Sequence, residues 1–195
     1  LYDFKQHPQQ EAYFRLQDIT DMQLSPTHTY HIPLTIGEDA DTKRDPWHRE
    51  RLIVSFYDSV RHILKSDNTP VKELTQSFCF TKIIHELNFL SAHTGRKKML
   101  LIYSNLLENN DAFSCFDAED KLLLQTKPEG VSTLLSKMFG TASNLSGIDV
   151  YVLYQPQNKR TEEGFLLMYG MYKAFLESKG VHVFLGTNNE ALQFN

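Results

Sequence analysis

Three oxygen-bearing side chains follow the most apolar run of the sequence and are the first candidates for binding chemistry. Ser104, Asn105 and Glu108 come directly after the stretch 99–103, which is Met-Leu-Leu-Ile-Tyr without polar alternation. Such a run is typical of a strand buried on both faces of a parallel sheet. In open α/β sheets ligands bind beyond the carboxyl ends of the strands, so we expect these side chains at a binding edge.

A second group of candidates consists of acidic side chains in the charged segment 38–45: Glu38, Asp39 and Asp41. Carboxylate oxygens are the ligands that hard cations such as Mg²⁺ prefer. In one hypothesis Asp39, Asp41 and Glu108 converge on a divalent cation in a metal-dependent hydrolase. In the alternative these loop carboxylates only interact with solvent, and Asp45 caps a helix that starts at Pro46.

Local enzyme signatures are missing from the sequence. It contains no Gly-x-Gly-x-x-Gly, no phosphate-binding Gly-Lys-Ser/Thr loop, no Gly-x-Ser-x-Gly and no His-Glu-x-x-His. The dipeptide His85-Glu86 is followed by Leu-Asn-Phe, and the eight histidines show no metal-ligand spacing. The leading interpretation is therefore a non-catalytic binding protein that needs no cofactor, with weak Mg²⁺ binding as the most that is expected.

The composition argues against several classes of partner. Among 195 residues, 20 Lys and Arg stand against 24 Asp and Glu, and the only basic cluster is the short turn 96–98. Neutralising nucleic-acid phosphates needs many clustered basic residues, so nucleic-acid binding is not expected. No apolar run approaches the about 18 residues of a membrane span, so membrane insertion is not expected either. The expected partner is a protein of unknown identity.

The two cysteines, Cys79 and Cys115, do not form a disulfide framework of the small secreted kind, and no metal-ligand spacing joins them. We expect buried thiols. Both cysteines follow predicted strand ends at the same edge of the sheet, so a bridge between them stays open as an alternative.

The elements that must position these residues alternate between strand and helix along a predicted single domain, 1–195. Residues 1–27 form a lead-in in which 12–19 is an edge strand or one arm of a hairpin, and 28–186 form an α/β core. The alternation predicts a three-layer sandwich, with helices on both faces of a mostly parallel sheet. Its central strand is 99–103, so Leu101 is expected to be fully buried. The predicted strands are 12–19, 29–36, 71–75, 99–103, 148–154 and 181–185, with a short extended piece at 112–116. The predicted helices are 46–65, 80–92, one from 128, and 161–179, with a helical turn at 118–125.

Over residues 28–186 this order of elements resembles the von Willebrand factor A domain, which has a Rossmann-like, integrin I-like fold. The segment 98–109, Lys-Met-Leu-Leu-Ile-Tyr-Ser-Asn-Leu-Leu-Glu-Asn, is similar to the family's apolar strand followed by Ser-Asp and a Leu/Met-rich loop. The segments 145–154 and 180–183 are similar to the closing half of bacterial members. The resemblance implies a protein-binding module, often with a metal-ion-dependent adhesion site.

That adhesion site uses three loops: Asp-x-Ser-x-Ser, a threonine from a second loop, and an aspartate after the central strand. In this chain Ile36 is followed by Gly-Glu-Asp-Ala-Asp-Thr, and Asn105 stands at the aspartate position. Thr75 or Ser77 stands for the threonine. Because formal negative charge is lost, the resemblance implies a degenerate site. Alternatively, Asn105 caps a turn through its own backbone.

Overall fold

The computed structural model describes residues 11–19, 27–32, 46–66, 76–93, 97–142, 144–154 and 159–186. Within these ranges the chain has five helices and five strands, which confirms the predicted α/β class. The strands are β1 Ala12–Gln17, β2 Thr27–Ile32, β3 Lys98–Tyr103, β4 Ile148–Leu153 and β5 His182–Gly186. The helices are α1 Pro46–Ser66, α2 Cys79–Ala92, α3 Ala118–Thr126, α4 Pro128–Phe139 and α5 Lys159–Glu177. None of these helices is both long and apolar enough to span a membrane.

The chain divides into two units. The first combines residues 1–18 with 26–73, and the second combines 19–25 with 74–195. In the first unit β1 and β2 pair antiparallel, from Ala12 opposite Ile32 to Gln17 opposite Thr27. Ile53 of α1 and Ile32 are both buried in a small apolar cluster that holds this unit together.

The pairing of β2 corrects one prediction. The strand 29–36 was expected in the parallel sheet, but Thr27–Ile32 pairs with β1 in a separate two-stranded sheet. A parallel crossover needs about a dozen residues or more, so the shorter connection between β1 and β2 favours antiparallel pairing. Residues 33–36 and the predicted strand 71–75 lie outside the described residues.

The second unit is built on a parallel sheet with the strand order β3-β4-β5. Helices α3 and α4 separate β3 from β4 along the chain, and α5 separates β4 from β5, as parallel pairing requires. The core contains Ile102, Val150, Val152 and Val183 from the strands, together with apolar side chains of all four helices of this unit. Burial of these side chains supplies the main driving force for folding of this unit.

The opposite side of this sheet, here called the outer face, corrects a second prediction. It is formed by every other strand residue: Met99, Leu101, Tyr103, Asp149, Tyr151, Leu153, His182, Phe184 and Gly186. Leu101 is 49% exposed, so the expectation that it is fully buried is wrong. Its strand lies at the edge of the described sheet, and β4 lies in the middle. Along β4 buried and half-buried residues alternate, because the described helices of this unit pack on the face that carries Ile148, Val150 and Val152.

Candidate functional site

The loop after β3 begins with two short turns in which side chains bond to their own backbone. Ser104 Oγ accepts a hydrogen bond from the Leu106 amide at 3.0 Å. Asn105 Oδ1 accepts one from the Leu107 amide at 3.1 Å. These bonds support Leu106 in a left-handed conformation with φ of 57°, which is uncommon for a residue with a side chain. Asn105 therefore has the turn-capping geometry that was one of its two expected roles.

Glu108, the next polar residue of this loop, points inward and is completely buried. Its Oε1 accepts hydrogen bonds from the Phe80 amide and from the Tyr172 hydroxyl, the latter at 2.9 Å. Its Oε2 accepts one from Asn110 Nδ2 at 2.7 Å. Because Phe78 at the N-cap of α2 makes no side-chain bond to the helix, this carboxylate satisfies a free amide at the positive end of α2.

The environment of Glu108 acts on its pKa in two directions. The net result is a pKa raised from the usual 4.5 to about 7, mainly because burial removes the hydration of the charged form. The bonds from Phe80, Tyr172 and Asn110 act the other way, because their donors favour the carboxylate. Desolvation is the larger effect, so this side chain changes charge near neutral pH.

A thiol lies between the hydroxyls of two predicted site residues. Cys79 Sγ is 3.3 Å from Ser77 Oγ and 3.8 Å from Ser104 Oγ, and it lies 3.7 Å from the carbonyl oxygen of Leu107. Burial and, to a smaller extent, the nearby carboxylate of Glu108 raise the pKa of Cys79 to about 12. The sulfur is therefore a neutral thiol at physiological pH.

Ser77 is also tied to the loop by its backbone. Its amide donates to the Asn109 carbonyl at 2.8 Å, and the Asn109 amide donates back at 3.2 Å. Asn110 Nδ2 reaches the Ser77 carbonyl at 3.3 Å, while Asn110 Oδ1 accepts bonds from the amides of residues 112 and 113. These contacts hold the residues before α2 against the segment that follows β3.

The structure thus brings together four of the predicted site residues, in the loop 104–108 and directly before α2: Ser77, Ser104, Asn105 and Glu108. The other four lie outside the described residues: Glu38, Asp39, Asp41 and Thr75. In the hydrolase hypothesis Glu108 was to bind a cation, but its two oxygens already accept bonds inside the protein. That hypothesis gains no support from Glu108.

Sequence reasoning missed three members of this cluster: Cys79, Asn110 and Tyr172. Tyr172 lies at helical spacing among the apolar residues of the last predicted helix, 161–179, which gives no sign of a polar role. A buried tyrosine hydroxyl nevertheless usually needs a hydrogen-bond partner. Cys79 is expected from the sequence as a buried thiol, with a bridge to Cys115 as the alternative. Its spacing of two residues from Ser77 was the one available signal, and only the fold shows that both side chains meet Ser104.

The donors of this cluster do not fit a hard cation such as Mg²⁺. Such an ion takes oxygen ligands, preferably charged ones, whereas a thiol belongs to softer metals. Here a neutral thiol separates the two hydroxyls, and the amide oxygen of Asn105 is engaged by its own backbone. Among the described residues no group of three or more His, Cys, Asp or Glu side chains is placed to hold a metal.

The second cysteine lies beside the same loop. The Cys115 amide donates to the Glu108 carbonyl at 2.9 Å, and the side chain is half-buried. Burial also raises its pKa to about 12. The structure has both cysteines as free thiols.

Comparisons with known proteins give no match for this chain among protein-family models, curated proteins or solved structures. The functional argument therefore depends on the geometry of the cluster itself.

Proposed function

We propose that the chain is a non-catalytic, protein-binding module of the von Willebrand factor A type with a degenerate metal site. The partner binds to the loops at the carboxyl edge of the parallel sheet. In this proposal the three-stranded sheet is part of a Rossmann-like topology. The parallel order β3-β4-β5, with helices between successive strands, supports this topology.

The observation that carries the proposal is the position of Cys79 Sγ between Ser77 Oγ and Ser104 Oγ. In the adhesion site of the family, hydroxyl and carboxylate oxygens surround a cation. Here the two hydroxyls face a sulfur that burial keeps protonated. Asn105 has no formal charge to offset cation dehydration, and its oxygen accepts a backbone bond. The cluster therefore stabilises the loop and supplies no reactive carboxylate.

Exposed aromatic side chains near this loop support protein binding. Tyr103 at the end of β3 is 65% exposed, and Phe116, directly before the N-cap of α3, is 63% exposed. Aromatic residues are enriched in protein interfaces, where they supply large contact areas at a low entropic cost. These two residues stand at the two ends of the 104–115 loop.

Calorimetric titration of the full chain with Mg²⁺ and Mn²⁺ tests the metal part of the proposal. We expect no saturable binding to the native chain up to about 10 mM metal, because a hard cation needs charged oxygen ligands. Asn105→Asp should recover only weak binding. Cys79→Ser combined with Asn105→Asp should bind more tightly than Asn105→Asp alone, because a hydroxyl replaces the soft thiol. Saturable one-to-one binding by the native chain would contradict the degenerate site.

Photo-crosslinking tests the partner part of the proposal. A benzophenone amino acid in place of Phe116 should give a discrete adduct in extracts of the source cells. The same group in place of Met138, which is 57% exposed on α4, is the matched control and should give none. Equal adducts from both positions, or none from either, would contradict binding at this edge.

A further inference from the structure

Glu108 ties the loop after β3 to two helices from inside the protein. Its Oε1 accepts hydrogen bonds from the Phe80 amide of α2 and from the Tyr172 hydroxyl of α5. Its Oε2 accepts one from Asn110 Nδ2. The contact between the loop 104–110 and the amino end of α2 is here called the junction. The junction therefore contains a completely buried carboxyl group.

These partners allow Glu108 to carry a proton while the junction is closed. A protonated carboxyl must donate a hydrogen, and neither the Phe80 amide nor Asn110 Nδ2 can accept one. The Asn110 side chain cannot turn its oxygen toward Glu108 without losing its bonds from the amides of residues 112 and 113. A tyrosine hydroxyl both donates and accepts, so Tyr172 can accept the proton of Oε1 when that bond reverses. The uncharged form of Glu108 therefore keeps all three contacts.

Among the described residues no positive charge compensates the ionised form of Glu108. The titratable groups that face it are Cys79 from α2, Tyr172 from α5 and Cys115 from its own segment. Burial raises the pKa of both thiols to about 12 and that of Tyr172 well above 10, so all three are neutral near pH 7. The charged Asp120 of α3 acts on Cys115 and has the same sign as a carboxylate. Ionisation of Glu108 therefore leaves a buried charge without a cationic partner, which is costly.

We propose that the junction is a pH-sensitive switch, which is closed while Glu108 carries a proton and opens locally when Glu108 ionises. The charge regains its hydration only when the loop and α2 separate, so a rising pH favours the open state. Separation also uncovers Cys79 Sγ. In the closed junction this sulfur lies 3.8 Å from Ser104 Oγ and 3.7 Å from the Leu107 carbonyl oxygen. Cys79 therefore reports the opening.

The backbone on both sides of the junction favours opening at this place. Phe78 at the N-cap makes no side-chain bond to α2, so this helix end depends on Glu108 for an acceptor. In the loop, Leu106 has φ of 57°, a strained conformation for a residue with a side chain. Opening costs less free energy at helix ends and in loops than in a core. The junction can therefore open while the rest of its unit stays folded.

The pKa of Glu108 sets the size and the pH range of the effect. It is about 7 in the folded chain, against 4.5 ordinarily. A group with a raised folded pKa stabilises the closed state fully below pH 4.5, and this contribution is lost as the pH rises through 7. With Glu108 hydrated in the open state, the equilibrium constant for opening rises about twentyfold between pH 5.5 and 7.5.

The test measures labelling of Cys79 by a pyridyl disulfide reagent in the full chain that carries Cys115→Ser. The rate in buffer divided by the rate in urea at the same pH gives the opening constant, because the ratio cancels the ionisation of the exposed thiol. We expect this constant to rise about twentyfold from pH 5.5 to 7.5 and to exceed the constant for global unfolding at least about tenfold. Glu108→Gln should abolish the rise, whereas Glu163→Gln, at an exposed position of α5, should keep it.

Hydrogen exchange of the Phe80 amide in the native chain is a second measurement that needs no variant. This amide donates to Glu108, so its exchange rate should show the same rise once the intrinsic pH dependence is removed. The exchange decides the question where Glu108→Gln does not fold.

Three results would overturn the inference. An opening constant equal to that of global unfolding would show that the junction does not open on its own. A rise in Glu108→Gln as large as in the native chain would assign the effect to another group. An opening constant that does not change with pH, by Cys79 labelling or by Phe80 exchange, would show that Glu108 does not control the junction. No partner takes part in these measurements, so each result leaves the proposed function standing.

Discussion

Tyr172 of α5 donates a 2.9 Å hydrogen bond to Glu108, 64 residues away in the sequence. The same Glu108 oxygen accepts the Phe80 amide, and the Phe80 and Tyr172 rings lie 6.0 Å apart. One buried carboxylate thus joins the loop after β3 to α2 and α5. Burial raises the pKa of Tyr172 well above 10, so its hydroxyl remains a donor.

Stability should fall as the pH rises between about 4.5 and 7, because Glu108 holds its proton more tightly in the folded chain. Its pKa of about 7 when folded, against 4.5 ordinarily, corresponds to about 3 kcal/mol at 1.36 kcal/mol per pH unit. This contribution is fully present below pH 4.5 and is lost above pH 7. Urea unfolding at pH 4.5, 5.5, 7 and 8 measures it.

Glu108→Gln should flatten that pH dependence, because the amide does not titrate. Glu163→Gln changes an exposed glutamate of α5 and should leave the slope as it is in the native chain. A slope in Glu108→Gln equal to that of the native chain would mean that Glu108 does not titrate in this range.

Tyr172→Phe should destabilise the chain more at pH 8 than at pH 5. At pH 8 Glu108 is mostly ionised, and loss of a donor to a buried charge costs about 2 kcal/mol, compared with about 1 kcal/mol for a neutral partner. Tyr169→Phe on the same helix is the control, since that ring is partly exposed. Equal losses at both pH values would show that the hydroxyl does not interact with the charge.

Leu101 and Ile102 are adjacent in β3 but point to opposite faces of the sheet. Ile102 is 6% exposed, so Ile102→Ala should cost about 2 to 5 kcal/mol, as for other large-to-small core changes. Leu101→Ala should cost less than about 1 kcal/mol, because half of that side chain is already in water. Chemical denaturation measures the free energy of unfolding of both variants. Equal losses of stability would mean that Leu101 is buried, against its exposure on the outer face.

Cys79 should react slowly with thiol reagents in the native chain. With a pKa of about 12, only about one molecule in ten thousand carries the thiolate at pH 8. Titration with a disulfide reagent should be at least about a hundredfold slower in buffer than in urea, where the ordinary thiol pKa near 8.5 applies. Cys115→Ser isolates the signal of Cys79. Rapid labelling in buffer would contradict the buried position.

Local sequence signals were sufficient for most elements of the second unit and for α1. The helix predicted over 46–65 is Pro46–Ser66, and the helix predicted over 80–92 is Cys79–Ala92. A proline at the start of a helix and an apolar stripe at helical spacing are local signals, because each involves residues that are close in the chain. A single sequence is therefore enough to detect them. Helix α5 begins at Lys159, two residues before the predicted start at 161, because the sequence signals for helix ends are weak.

The errors concern relationships between distant residues. Which strand pairs with β2 depends on the length of the connection from β1 and on the sequence of β1. The residues of β2 alone do not contain that information. For β3, the unbroken apolar run hid a period of two that is visible in β4, where Val150 and Val152 alternate with Asp149 and Tyr151. The Glu108 and Tyr172 contact depends on the packing of α5 against the loop, and no local pattern predicts it.

Thermal unfolding of the full chain with about 10 mM Mg²⁺ and with EDTA tests the central claim most directly. A ligand that binds only the folded state adds RT ln(1 + [L]/Kd), so a Kd near 1 mM would add about 1.4 kcal/mol, or about 3 to 6 °C in Tm. The degenerate site predicts that the two Tm values agree within about 1 °C. A rise of 3 °C or more with Mg²⁺ that EDTA removes would contradict it and show a working cation site.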